Sequence, residues 1–420
     1  MEFRSKKTWL AAALATALAG PAAAQSALPP WKFTVSTDSN YFTYRTNRPA
    51  LLPAFPNQAL RERGSQFQQS LGFQLAGHLS QDFKVSLMVK SGYISARNTR
   101  TTGATTTSGS YSGMLDSVVS STATYLGFNG FQPFLSLNFN LPTGKSNNSV
   151  SGGQGKGDAD LVPRATFGEG LNFGPTIGVN IPITASLVSS FSVGHTARGK
   201  FKREADIIPP FLFPISINPG DVTTVTGTLA WSGEKWNVKG SLAYSTETET
   251  TYNNVPFYRA GDRIVAQLAT GYAIDDNWSW NGKASYSHFN NNRVQTFGLP
   301  PLVAEAFNSN NDIVSLSTGV TYARDNWSIG PTLSFTHRAK NGWDQTTFQF
   351  ITSRDTWSAG LAGAISVADS VQIKANVARM WAHERATPDK AVFGFPIVGT
   401  GTAAARTNAW QASASASIQF

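Results

Sequence analysis

The chain of 420 residues contains no cysteine and only 4 methionines, and Asp, Glu, Lys and Arg together make up just 14% of it. Without cysteine there are no disulfide staples, no thiolate metal ligands and no thiol nucleophile. Long apolar runs are equally scarce: after the first two dozen residues no segment approaches the roughly 20 apolar residues that cross a bilayer as a helix. If the chain is integral to a membrane it must therefore cross as a closed barrel, the other architecture that satisfies every backbone group in lipid. What is abundant points the same way, since 37 glycines, 11 tryptophans and 27 phenylalanines with near-neutral hydropathy suit a wall apolar on one face and polar on the other.

The N-terminal segment carries Arg4, Lys6 and Lys7 ahead of an apolar run from Trp9 to Ala19, then Gly20-Pro21 and the small residues Ala22 to Ala24. That order predicts a secretory signal peptide over residues 1–24, with Gln25 first in the mature chain and residues 25–420 forming one domain. Only Gln25 to Pro30 would precede the first strand, too little for a separate plug. The formal net charge of +9 makes a bias toward anions the useful reading, nucleic acid being an unexpected partner for an exported protein.

Period-two alternation recurs along the mature chain, interrupted by short turns. These turns are Ser80-Gln-Asp82, Gly130-Phe-Gln-Pro133, Pro182-Ile-Thr184, Gly233-Glu-Lys235, Asp275-Asp-Asn277, Arg324-Asp-Asn326 and Ala368-Asp-Ser370. Seven turns join eight hairpins, which predicts an all-β, antiparallel transmembrane barrel of about sixteen strands. Longer connections are expected near 46–61, 99–113, 143–160, 204–218, 251–258, 297–308, 341–351 and 389–404. Short periplasmic turns with long external loops would put the protein in a Gram-negative outer membrane, both termini periplasmic. Outer-membrane lipid and, during biogenesis, the barrel assembly machinery are the partners this implies, while oligomeric state is left open.

Aromatic residues beside the short turns predict a girdle of Trp31, Phe83, Phe134, Trp236, Trp278, Trp327, Trp410 and the terminal Phe420. Alternation sets Phe67, Leu71, Phe73 and Leu75 outward and Gln68, Ser70, Gln74 and His78 inward, and in the last strand separates Trp410, Ala412, Ala414, Ala416, Ile418 and Phe420 from Gln411, Ser413, Ser415, Ser417 and Gln419. Pro331, inside an otherwise regular strand, predicts a bulge or local irregularity. Lys32, Lys84, Lys90, Lys239, Lys283 and Lys374 take the polar face of their strands, which predicts a basic inner belt that acids such as Asp38 do not balance. Three loops are candidates to constrict or roof the pore: the Gly/Ser/Thr-rich loop after the third strand, the loop from Thr143 to Asp160, and the apolar loop Pro209 to Ser216.

The stretch Phe134-Leu-Ser-Leu-Asn-Phe-Asn-Leu-Pro-Thr-Gly144, followed by Asp160-Leu161 and Gly170-Leu-Asn-Phe-Gly-Pro-Thr-Ile-Gly178, resembles the outer-membrane channels associated with the meta-pathway of phenol degradation. The resemblance implies a barrel related to those that admit small aromatic or apolar compounds. The chain departs from the familiar hydrophobic-compound transporters in lacking an N-terminal hatch.

No cofactor, metal or catalytic site is expected. Gly152-Gly-Gln-Gly-Lys-Gly157 does not form a phosphate-binding loop, and His78, His195, His288, His337 and His383 lack ligand spacing. Alternation sends His195 and His288 toward the lipid-facing register, away from any nucleophile, so the chain reads as a non-enzyme. The leading expectation is a porin-like channel for passive diffusion of small hydrophilic solutes, anions included. The alternatives are an uptake route for small hydrophobic or aromatic compounds, marked by the apolar loops, or a structural or secretion-associated barrel.

Overall fold

The computed structural model describes residues 31–47, 60–144, 168–203, 215–296, 299–392, 395–397 and 400–420. All regular structure there is β. In chain order the strands are β1 (Lys32–Thr46), β2 (Leu60–Ser80), β3 (Phe83–Thr102), β4 (Thr105–Met114), β5 (Ser117–Tyr125), β6 (Gln132–Leu141), β7 (Asn172–Pro182) and β8 (Leu187–Thr196). There follow β9 (Phe201–Arg203), β10 (Ile215–Asn218), β11 (Val222–Ser232), β12 (Trp236–Glu247), β13 (Thr250–Tyr252), β14 (Val255–Arg259), β15 (Arg263–Ala273), β16 (Trp278–Phe289), β17 (Arg293–Thr296) and β18 (Leu299–Ala304). The last are β19 (Ile313–Arg324), β20 (Trp327–Arg338), β21 (Arg354–Ala368), β22 (Val371–Glu384), β23 (Lys390–Val392), β24 (Phe395–Ile397) and β25 (Ala405–Gln419).

One antiparallel sheet closes on itself where β1 pairs with β25, so the wall has no free edge. Its 17 segments make sixteen wall strands, because β4 and β5 both pair with β3 and are two parts of one strand. The seven short turns expected from sequence all lie at one end. In place of the loop expected near 99–113, β3 and β4 continue as a tall hairpin with Gly103 at φ +57° in its turn. Threonine, a good strand former, pairs across this hairpin, with Thr99 3.2 Å from Ser108 and Thr101 3.1 Å from Thr106. This segment extends the wall and does not fold into the lumen. β2 and β3, 21 and 20 residues long, exceed the roughly 9–11 residues that cross a bilayer.

At the end opposite the short turns, where the β3–β4 hairpin also stands, three connections of the wall pair into a second, six-stranded sheet, ordered β18-β17-β14-β13-β10-β9. Asn253 and Asn254, at φ +50° and +68°, make the tight turn between β13 and β14 that the paired positive φ values favour. The apolar residues Phe211, Leu212, Phe213, Phe297 and Phe393, like residues 1–24, where a leader is expected, and the segment from 145 to 167, lie outside the described residues.

Cross-strand partners share a face, so each register fixes which side chains look out. Leu71, Ile177, Phe191, Leu242, Leu268, Leu316, Leu333 and Val377 are outward and exposed. A continuous apolar band of this size is foreign to a soluble surface and matches the lipid-facing wall of a transmembrane barrel. It is bounded at the short-turn end by aromatic pairs: Phe33 with Phe420 at 5.9 Å, Phe83 with Tyr125 at 4.9 Å, Trp236 with Tyr272 at 4.4 Å and Trp278 with Tyr322 at 5.0 Å. Trp327 lies 5.6 Å from Tyr322, and Trp31 stacks over Gly77.

Two aromatic assignments need correction. Phe134 shares a face with Ser136 and Asn138 and lies over Gly178, inside the barrel, because its parity within β6 outweighs its nearness to the turn. Trp410 is outward but at the long-loop end, opposite Thr43 and Arg379 and ten positions from the chain terminus. It belongs to an upper aromatic level with Trp381, Trp357 and Phe335, the last two 4.4 Å apart. At Pro331 the register between β19 and β20 is unshifted, but the ladder is interrupted between the Gly319–Thr332 and Tyr322–Ile329 pairs. Proline has no N–H to give there, and the Val320 carbonyl comes so close to Gly330 that a Cβ would collide with it.

Candidate functional site

The inner face of the wall is polar because the strand period puts Ser, Thr, Asn, Gln and Gly opposite the apolar outward set. Lys32 faces inward with Ala76, Lys84 with His78, Lys90 with Gly72 and Lys374 with Ser415. Lys239 and Lys283 both pair with Ala269 from opposite sides, which sets them two strands apart, about 10 Å. All six are exposed.

Among the described residues one of the six has an acidic partner. Lys90 Nζ donates to Asp38 Oδ2 at 3.3 Å. Asp38 and Lys374 both pair with Ser415, so this single carboxylate sits between two lysines. Together they line a recess of about 550 Å³ with Asn376, Ser413 and Ser415. Lys32, Lys84, Lys239, Lys283 and Lys374 have no acidic partner among the described residues. On the strands that carry Lys239 and Lys283, the lumen-facing acid is Glu247 at the far rim, where it pairs with Arg198 at 3.3 Å.

Toward the long-loop mouth the lumen face holds charged residues that the sequence reading did not single out. Glu62 accepts from Tyr44 Oη at 2.6 Å, Asn98 Nδ2 at 2.9 Å and Arg100 Nη2 at 3.1 Å. Arg338 donates to Glu384 at 2.7 Å, and Arg263 lies 4.9 Å from the Phe289 ring centre. Their parity within the strands would have revealed them. The lumen is also asymmetric: Ile94, Tyr44 and Phe42 face inward yet are only 1%, 3% and 5% exposed. Other side chains pack over that stretch of inner wall, which lies across the barrel from the strands that carry Lys239 and Lys283.

A second feature absent from the sequence reading is Asp116. Between β4 and β5 the register against β3 shifts by one residue, so Leu115 and Asp116 form a bulge and the carboxylate is aimed inward. Asp116 Oδ1 accepts from the backbone N–H of Gly144 at 2.8 Å and of Gly168 at 2.7 Å. Its Oδ2 accepts from Glu169 N at 3.1 Å and Asn140 Nδ2 at 3.0 Å. One buried carboxylate thus ties together both roots of the connection between β6 and β7. Burial pushes the neighbouring Glu169 carboxyl above its ordinary range, an effect that Arg198 opposes and Asp116 reinforces.

The five histidines lie on five different strands, with His337 and His383 flanking Asp355 from its two neighbours. His195, His288 and His337 take the outward register, bonded respectively to Thr223 at 3.0 Å, Asp312 at 2.8 Å and Asp355 at 2.6 Å. Among the described residues no three His, Asp or Glu side chains gather as metal ligands.

No protein-family model and no curated protein matches the chain. Among solved structures it is similar to an anion-selective porin from Comamonas acidovorans, at 11% identity and a TM-score of 0.41, over 93% of this chain and 100% of that one. It is similar to Pseudomonas aeruginosa OccK7 (OpdD) at 8% identity and 0.43, over 93% and 98%. A mutant of the Rh. blastica porin aligns at 10% identity and 0.33, over 92% and 100%.

Proposed function

We propose that the protein is an integral outer-membrane channel through which small hydrophilic solutes diffuse passively, with anions favoured. In this reading residues 1–24 are its export leader, the short turns and both termini are periplasmic and the tall hairpins external. The reading rests on one observation above all: five inward lysines stand without acidic partners among the described residues around a polar lumen. In a passage with low-dielectric walls such charges raise the local concentration of anions. A route for apolar compounds calls for a greasy recess in the wall, and the recess at Asp38 mixes serine, asparagine and lysine with alanine and glycine and holds no large apolar side chain.

The test is conductance of the purified protein in planar bilayers under a KCl gradient. Large unitary steps with a reversal potential displaced toward that of chloride are expected. Closed channels, or a potassium-favouring reversal, would overturn the proposal.

A further inference from the structure

The outward face carries its own basic feature, which solute passage does not use. Register places Arg45 directly opposite Arg63, and Arg97 one step away through Ser65. Arg406 shares the outward set of β25 with Asn408, the partner of Arg45, and Arg379 lies opposite Trp410. Arg61 continues the outward set of β2. All six are exposed, and none has an acidic partner among the described residues. Like charges set directly opposite on neighbouring strands repel, so this array lacks an internal reason for its stability. The outward acids elsewhere on the wall differ, since each is bonded within the chain: Asp262 to Tyr244 at 2.8 Å, Asp312 to Tyr286 at 2.9 Å and Asp355 to His337 at 2.6 Å.

Position and shape narrow the occupant. Arg45, Arg63 and Arg97 line a recess of about 610 Å³ together with Thr43, Ser65, Thr99, Ser108 and Ser110. Guanidinium forks and hydroxyl donors in one concavity match the oxygens of a phosphate group. The Arg379 guanidinium stands 5.3 Å from the Trp381 ring and 5.6 Å from Trp410, at the upper aromatic level where a barrel meets headgroups. Immediately below, Tyr41, Phe67 and Val377 present exposed apolar surface on the same outward face. Cationic donors above an apolar strip fit a molecule with phosphates at one end and acyl chains at the other.

We propose that this arginine face binds the phosphates of a multiply phosphorylated lipid of the external leaflet, its acyl chains lying against the strip below. The proposal rests on the membrane placement given above but not on ion selectivity. It is tested by native mass spectrometry of the full folded chain released from mild detergent after titration with bisphosphorylated lipid A, monophosphoryl lipid A or phosphatidylcholine. Retention in that descending order is expected. The combined R45Q, R63Q and R97Q variant is expected to bind the bisphosphorylated lipid at least about tenfold more weakly, with single-channel conductance unchanged. The corresponding lysine variant keeps the charge but loses the bidentate fork, and is expected to lose part of the affinity; it also serves if the glutamine variant does not assemble. Equal retention of the three lipids, or unaltered binding by both variants, would overturn the proposal. Displacement of the lipid by an equimolar amount of inorganic phosphate would do so too, assigning a soluble anion instead.

Discussion

The carboxylate of Asp116 accepts from Gly144, Gly168, Glu169 and Asn140, and Asp116→Ala orphans all four donors at once. Hydrogen bonds to a charged group each contribute about 1.5–3 kcal/mol. Because water will reach some of these donors, a total loss of about 3 kcal/mol is expected, read from the denaturant midpoint in micelles. Asp116→Asn retains one acceptor oxygen and should fall between. A denaturation curve for the alanine variant superimposing on the parent would remove Asp116 from the architecture. Nothing in the composition around Leu115-Asp116 announces this role, because it depends on a one-residue slip against β3. Phe134 shows the opposite case: its parity with Ser136 and Asn138 was readable, and nearness to the turn was the weaker signal.

Among the elements, the short turns were legible from their Asp, Asn, Gly and Ser content, whereas the second sheet was not. The strands of β9 to β18 that form it are only a few residues long, and their pairing joins three separate connections. Tyr258 in β14 donates to Asn292 Oδ1 at 2.9 Å, and burial pushes its hydroxyl up to about 12, with Glu305 and Glu247 adding to the effect. The unfolded tyrosine ionises near 10, so between pH 10 and 12 the unfolded chain binds fewer protons than the folded one. Stability contributed by this contact is complete below pH 10 and declines as pH rises through that window. Tyr258→Phe should abolish this component of the alkaline loss, measured as proteolytic cleavage within β13 and β14 against pH. Identical pH profiles for parent and variant would exclude it.

Closure of the wall turns parity within strands into an electrostatic arrangement around the barrel. Lys239 and Lys283 stand across the barrel from the stretch where Ile94, Tyr44 and Phe42 are buried. Neither lysine has an acidic partner among the described residues, whereas Asp38 already offsets the charge of Lys90. The K239Q and K283Q double variant should lower the chloride-to-potassium permeability ratio about two- to threefold, and K90Q should change it less. A larger effect for K90Q would place the ionic path on the other wall. Salt weakens all such differences, since the Debye length is about 10 Å at 0.1 M and 3 Å at 1 M.

From the amino-acid order alone came the strand number, the facing of the second and last wall strands and the polar-face position of the six lysines. These follow from local periodicities: a side chain every second position turns the same way, and a turn must separate each pair of strands. The height of Trp410, the pairing of Lys90 with Asp38, the bulge that aims Asp116 inward and the meeting of arginines from separate strands came from the assembled barrel. Those depend on register between segments far apart in the chain, and a strand's own alternation is unchanged when it slides by two residues against its neighbour.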